Sequence, residues 1–284
     1  MSDNLKGALL TSLTIFLYTL NDGLMKLIIS YMPLSQAVFL RNLIILPMMC
    51  LLAWQLKLKL SGMSRRIWAI SIFRGLNEIA VTICLLLAFK NMLLSDAISI
   101  LQAVPLLLTA VASLLFGERV SAKRWMVIFV GLIGVLIIIK PGTDAFNWAS
   151  LYAIGAVCFL TIRDSLSKSL PDETPVIFPA FVATLIVFVS SIYYTPGEAW
   201  ITPSQTLYGL IFICSLFMFG ATYLSITMMR IGDVGFTSPF RYSAILWSAI
   251  IGILFFAEWP DHTTWIGAAI LVGSGIYLIR NGRS

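Results

Sequence analysis

The sequence predicts an all-α polytopic membrane protein, with ten transmembrane helices forming two inverted five-helix repeats around a central cavity. Three observations lead there. Of 284 residues, 59% are hydrophobic and 11% charged, with a mean hydropathy of +0.94, whereas a soluble domain is about a quarter charged and half apolar. The apolar residues fall into ten runs close to the roughly 20 residues that cross a bilayer. The chain also repeats itself. Leu106, Leu114, Phe116, Glu118, Trp125 and Gly142 return 140 positions later as Leu246, Leu254, Phe256, Glu258, Trp265 and Gly282, and Lys140 is answered by Arg280.

In order, the first five helices are predicted over Gly7–Ile29, Leu34–Leu56, Trp68–Phe89, Ser95–Phe116 and Trp125–Ile139. The second five cover Trp148–Leu166, Val176–Tyr194, Leu207–Met229, Gly235–Phe256 and Thr264–Ile279. Breakers separate them: Pro33, Ser61-Gly62, Pro141-Gly142, Pro171, Thr195-Pro196-Gly197 and the Glu258-Trp259-Pro260-Asp261 turn. Pro105 and Pro239 fall inside the fourth and ninth helices, where each leaves a backbone carbonyl without its helical donor. The links are short, so no soluble domain is expected, and the first apolar run is too long for a cleavable leader.

A second match, at an offset of 142, pairs Thr19, Asp22, Leu24 and Lys26 with Thr161, Asp164, Leu166 and Lys168. The chain therefore divides into repeats 1–144 and 145–284. Five is an odd number, so the second repeat enters the membrane upside down. Lysines and arginines agree. Lys6, Lys57, Lys59, Arg65, Arg66, Arg119, Lys123, Arg124, Arg230 and Arg283 gather on one side, which the positive-inside rule makes cytoplasmic, with both termini. Inverted repeats serve alternating access around a site at mid-membrane.

The net charge of +6 is read as this loop asymmetry rather than as a nucleic-acid surface. Cys50, Cys84, Cys158 and Cys214 stand alone in apolar runs without metal or redox spacing, and His262 is the single histidine. No metal or cofactor site is expected. No phosphate-binding G-x-x-x-x-G-K-[ST] occurs, so no ATP engine is expected within the chain. No paired His/Asp or H-E-x-x-H motif supports a membrane enzyme acting on lipid.

The chain resembles the ten-helix, EamA-like branch of the drug/metabolite transporter superfamily. The residues carrying the likeness are Ala103-Val104-Pro105, Phe116-Gly117-Glu118, Trp125, Gly131, Gly134 and Lys140-Pro141. The second half repeats them in Ser238-Pro239-Phe240-Arg241-Tyr242, Phe256-Ala257-Glu258 and Gly267. A narrower likeness, to S-adenosylmethionine uptake carriers, rests on Asn21-Asp22, Phe73-Arg74-Gly75-Leu76, Pro239-Phe240-Arg241-Tyr242 and Glu258-Trp259-Pro260-Asp261. The resemblance implies two five-helix bundles in the inner membrane, a monomer or a homodimer through helices 5 and 10, and a small-molecule substrate.

Charged groups inside spanning helices are expensive, so they are expected to face the bundle. Asp22 with Lys26 and Asp164 with Lys168 stand at i,i+4. They read either as intrahelical ion pairs or as gate and coupling groups. Arg41, Arg74 and Arg241 each lie about two turns, roughly 10 Å, inside their helices, and an arginine needs an acceptor. Glu78, at i+4 from Arg74, is the expected partner there. Arg241 has no carboxylate within a turn and is expected to meet a substrate carboxylate. Asn21, Asn77, Gln102 and Tyr242 could orient a ligand or join helices, and Trp247 with Tyr242, Phe240 and Tyr18 could form an aromatic wall. Glu118 and Glu258 read as helix-end residues bound to the following helix N-terminus. The function expected is secondary transport of a small polar, amino-acid-like or S-adenosylmethionine-like metabolite. The alternatives are export of hydrophobic or aromatic compounds by the same fold, and a channel-like pore.

Overall fold

The computed structural model describes residues 3–58, 63–115, 121–143, 146–171, 173–192, 199–228 and 238–280. Among them all regular structure is helical: α1 (Asp3–Ile28), α2 (Leu34–Gln55), α3 (Arg65–Asn91), α4 (Leu94–Leu101), α5 (Val104–Leu115), α6 (Ala122–Ile139), α7 (Ser150–Lys168), α8 (Ile177–Ser191), α9 (Gln205–Met228), a 3-10 turn (Ser238–Tyr242), α10 (Ser243–Phe256) and α11 (His262–Arg280). Eight helices, with α4 and α5 counted together and the 3-10 turn joined to α10, are long and apolar enough to cross a membrane. The other two are α7, which carries Arg163, Asp164 and Lys168, and α8, which has 15 residues. The predicted ends at Phe116, Tyr194, Met229 and Gly235, and Glu118, lie outside the described residues.

The fourth and ninth predicted helices are each interrupted near the proline they contain. The fourth breaks at Gln102-Ala103, where 3-10 bonds replace helical ones: Gln102 N–H donates to Ser99 O, and Ala103 N–H to Ile100 O. Pro105 lacks the N–H that would continue the ladder to Leu101, so the helix restarts there. The ninth begins as a 3-10 turn containing Pro239. Gln102 and Tyr242, matched by the repeat, sit at these two breaks. The starts of α3, α6 and α11 are each capped by a side chain, with Ser64, Ser121 and Asp261 accepting from the Ile67, Arg124 and Thr264 N–H groups.

Helix packing obeys the repeat. Exchanging the halves turns α1 against α9 into α7 against α3, and α3 against α8 into α9 against α2. It leaves α2 against α8 and α6 against α11 unchanged. Leu114 and Leu254, a matched pair, are each 72% exposed on the apolar outside. In water such a belt would be an aggregation surface; in a bilayer it is solvated. Helices α6 and α11 touch backbone to backbone within one chain: a Cβ on Gly134 would stand 2.7 Å from Gly267 O. The core beneath is built from Phe89, Leu94, Ile100, Leu106 and Leu271.

Candidate functional site

Two groups of polar residues lie inside the bundle, and a third closes one end. The first forms on α3, where Arg74, Asn77 and Glu78 share a face at i, i+3 and i+4. That face meets α7. Arg74 does not pair with Glu78 as its spacing suggested. Its Nε donates to Ser167 Oγ (2.9 Å) and its Nη1 to Pro179 O (3.1 Å). Glu78 Oε1 instead lies 3.6 Å from Nη1 of Arg163, whose Nη2 and Nε reach Asp164 Oδ1 at 2.9 Å. A guanidinium on the facing helix outcompetes the one on its own because α3 and α7 pack along their lengths. Asn77 is occupied with Phe159 O (2.8 Å), which fastens the two helices.

Beside this cluster, Tyr18 of α1 bonds Thr222 and lies within electrostatic reach of Arg163, Arg241 and Glu78. Glu78 Oε2, Tyr242 Oη and Trp247 Nε1 are buried and bonded to nothing among the described residues. Leaving a buried polar group unmet costs about 1–3 kcal/mol, and Tyr242 Oη is pressed against Gly275 of α11. Trp247 stacks obliquely on Phe16, with centroids 4.8 Å apart. Arg241 is exposed at the start of the ninth helix and makes no ion pair among the described residues. Gln102 only reaches back to Ile98 O at 3.4 Å.

The second group lies further along α1. Asn21 Nδ2 donates to Asp22 Oδ1 (3.0 Å), and Cys214 Sγ sits 3.2 Å from Asn21 Oδ1. Arg41, 9% exposed with an unmet Nε, is the nearby charge. Arg41 therefore belongs with Asp22, apart from Arg74 and Arg241.

The third group corrects two expectations. Lys26 does not pair with Asp22; it turns to Glu258, donates to Met92 O (2.8 Å) and stands 5.2 Å over the Phe256 ring. Glu258 does not serve the helix that follows it. Its Oε2 accepts the N–H of Leu94 (2.9 Å), the first residue of α4, while Asp261 caps α11. A left-handed Ala257 (φ 52°) makes the turn that aims Glu258 back into the bundle. Lys140 pairs with Asp261, and the Thr264 hydroxyl donates to Asp96 (2.9 Å). At Asp261, burial that would raise the carboxyl is outweighed by bonds from Lys140, Thr264 N–H and Thr263, which hold it well below the usual carboxylate range. These contacts join the halves at the end away from the N-terminus, here the distal end.

The sequence alone does not single out Arg163 and Asp96, and it marks Glu258 only as a helix-end residue. Arg163 was visible as a charge beside Asp164 within an apolar run; the other two sit at helix ends, where carboxylates are ordinary. Lys168 closes α7.

The EamA-like transporter family matches the chain twice, over residues 5–140 and 147–281. The S-adenosylmethionine uptake transporter of Rickettsia prowazekii is 28% identical over 62% of this chain and 60% of its own length. The riboflavin transporter of Vibrio cholerae is 28% identical over 64% and 61%. Alignment with these relatives thus covers about 60% of their length. The pseudopaline exporter CntI of Pseudomonas aeruginosa is 26% identical over 96% of both chains. A solved crystal structure, 17% identical, shares the fold with a TM-score of 0.66 over 98% of this chain and 99% of that one. Apolar helices packed in exchangeable pairs, charges turned inward and a family match over nearly the whole length agree: this integral membrane protein belongs to the EamA-like transporter family.

Proposed function

We propose that the chain is a secondary transporter of a small polar metabolite, amino-acid-like or S-adenosylmethionine-like, working by alternating access in the inner membrane. Repeats 1–144 and 145–284 are the two bodies that rock, and both termini are cytoplasmic. The observation carrying this reading is the cluster between α3 and α7, where Arg74, Arg163, Glu78 and Asp164 leave Glu78 Oε2 unmet among the described residues, while Arg241, in no ion pair among them, lies within electrostatic reach of the same Tyr18. A solute bearing a carboxylate and a cation can satisfy both. The relatives named for S-adenosylmethionine uptake support that class, and the long alignment with an exporter supports outward transport as the second reading.

The test is counterflow of radiolabelled S-adenosylmethionine into vesicles holding the full chain, with methionine and riboflavin as competitors. Arg241→Ala should abolish uptake without lowering the melting temperature, because its guanidinium carries no ion pair within the described structure. Absence of uptake or exchange with all three probes would remove the polar-metabolite reading. Uptake that survives Arg241→Ala would remove the site assignment alone.

A further inference from the structure

At the distal end a cavity of about 490 Å³ opens between the halves, and its lining includes Lys26, Lys90, Lys140, Asp96, Glu258 and Asp261. Three lysines thus face three carboxylates. Two pairs are already made, Lys26 with Glu258 and Lys140 with Asp261. Lys90 and Asp96 remain. Lys90 lies in the last turn of α3, exposed, with its ammonium in no bond among the described residues. Asp96 lies in the first turn of α4 and takes the Thr264 hydroxyl on Oδ1, with no donor from the described residues on Oδ2. The volume lies within the range of small-molecule pockets, about 300–1,000 Å³.

We propose that this cavity is a loading site for zwitterionic solutes, with the solute carboxylate on Lys90 and its cationic centre on Asp96. A plain anion would face Asp96 unanswered, a plain cation would face Lys90, and a neutral solute would answer neither. The inference rests on the carrier reading, because it makes the cavity the vestibule of the same path. The position also explains how loading is linked to opening. Lys26 and Glu258 line the same cavity, and Glu258 holds α4 through the Leu94 N–H. When the solute passes on from Lys90 and Asp96, so that its carboxylate takes Lys26 and its cation takes Glu258, it undoes the bonds that fasten α1 and α4 to the end of α10.

The test uses the full chain with its four cysteines replaced by serine and Asn91→Cys introduced, held in lipid nanodiscs that leave both faces open. Asn91 lines the cavity, is exposed, and bonds with its side chain only to Leu87 O within the described structure. The rate of labelling by a hydrophilic maleimide is measured with millimolar methionine, S-adenosylmethionine, riboflavin or inorganic phosphate. The two zwitterions should slow labelling severalfold, and riboflavin and phosphate should not. Lys90→Gln and Asp96→Asn should each abolish the protection while keeping the melting temperature, which reports an intact fold. No protection, equal protection by riboflavin or phosphate, or protection that survives both substitutions overturns the proposal. Uptake into vesicles is read separately. Protection without uptake keeps the binding site and removes the carrier role, whereas uptake without protection does the reverse.

Discussion

Arg163→Leu is the most direct probe of the charged cluster. One guanidinium holds two carboxylates, reaching Glu78 at 3.6 Å and Asp164 at 2.9 Å through two nitrogens. The three side chains are 25%, 23% and 25% exposed, so they are largely but not wholly withdrawn from water. Removing one partner of a fully buried pair costs about 3–5 kcal/mol, because the charge left behind is uncompensated. Exposed pairs contribute about 0–1 kcal/mol, so the partial exposure brings the expected loss to about 2–3 kcal/mol. At roughly 2 °C per kcal/mol for a long chain, that is a melting point lower by about 4–6 °C. The triple change Arg163→Leu, Glu78→Gln and Asp164→Asn removes both stranded charges, while Arg74 keeps its bonds to Ser167 and Pro179. It should melt within about 1 kcal/mol of the native chain, since neutral replacements of buried ion groups are often tolerated. The assay is thermal unfolding of the full chain in detergent, followed by tryptophan fluorescence. A single variant that melts like the native chain, or a triple variant that melts as low as the single one, would refute charge compensation as what holds α3 to α7.

Three further outcomes follow from local geometry. Gly134→Val should cost about 1–3 kcal/mol by overpacking, since its Cβ would press on the Gly267 carbonyl; Gly273→Ala, with nothing within 4 Å, should change the melting point little. Glu258→Gln keeps an acceptor for Leu94 but loses the charge facing Lys26, so hydrogen exchange at the start of α4 should quicken while α8 is unchanged. Asp261 has a folded pKa below its unfolded value, so its contribution is present above the unfolded value of about 3.9 and is lost as pH falls through the depressed folded one. The melting difference between the native chain and Asp261→Asn should therefore hold from neutral pH to about 4 and shrink only in stronger acid.

Much of this protein was legible one residue at a time. Apolar length located the helices because a bilayer demands about 20 apolar residues regardless of partners. The repeat announced that the two halves would pack in exchangeable pairs, and the matched exposure of Leu114 and Leu254 follows from it. Pro105 marked the break in the fourth helix because a missing N–H acts locally. The intramembrane charges were also visible as charges that had to face inward.

What the sequence did not reveal was which charge meets which. Spacing along one helix offered Asp22 to Lys26 and Glu78 to Arg74, and both offers were declined. An i,i+4 pair is worth only a few tenths of a kcal/mol, so any better acceptor brought up by packing prevails. For Lys26 that acceptor is Glu258, already held by the Leu94 N–H and joined by the Met92 carbonyl. For Glu78 it is Arg163, from the helix packed alongside. Sequence alone determined the helices, their duplication and the need to shelter the charges, because those depend on short stretches and on the solvent. The partners were left to the tertiary structure, because they depend on which helices lie side by side.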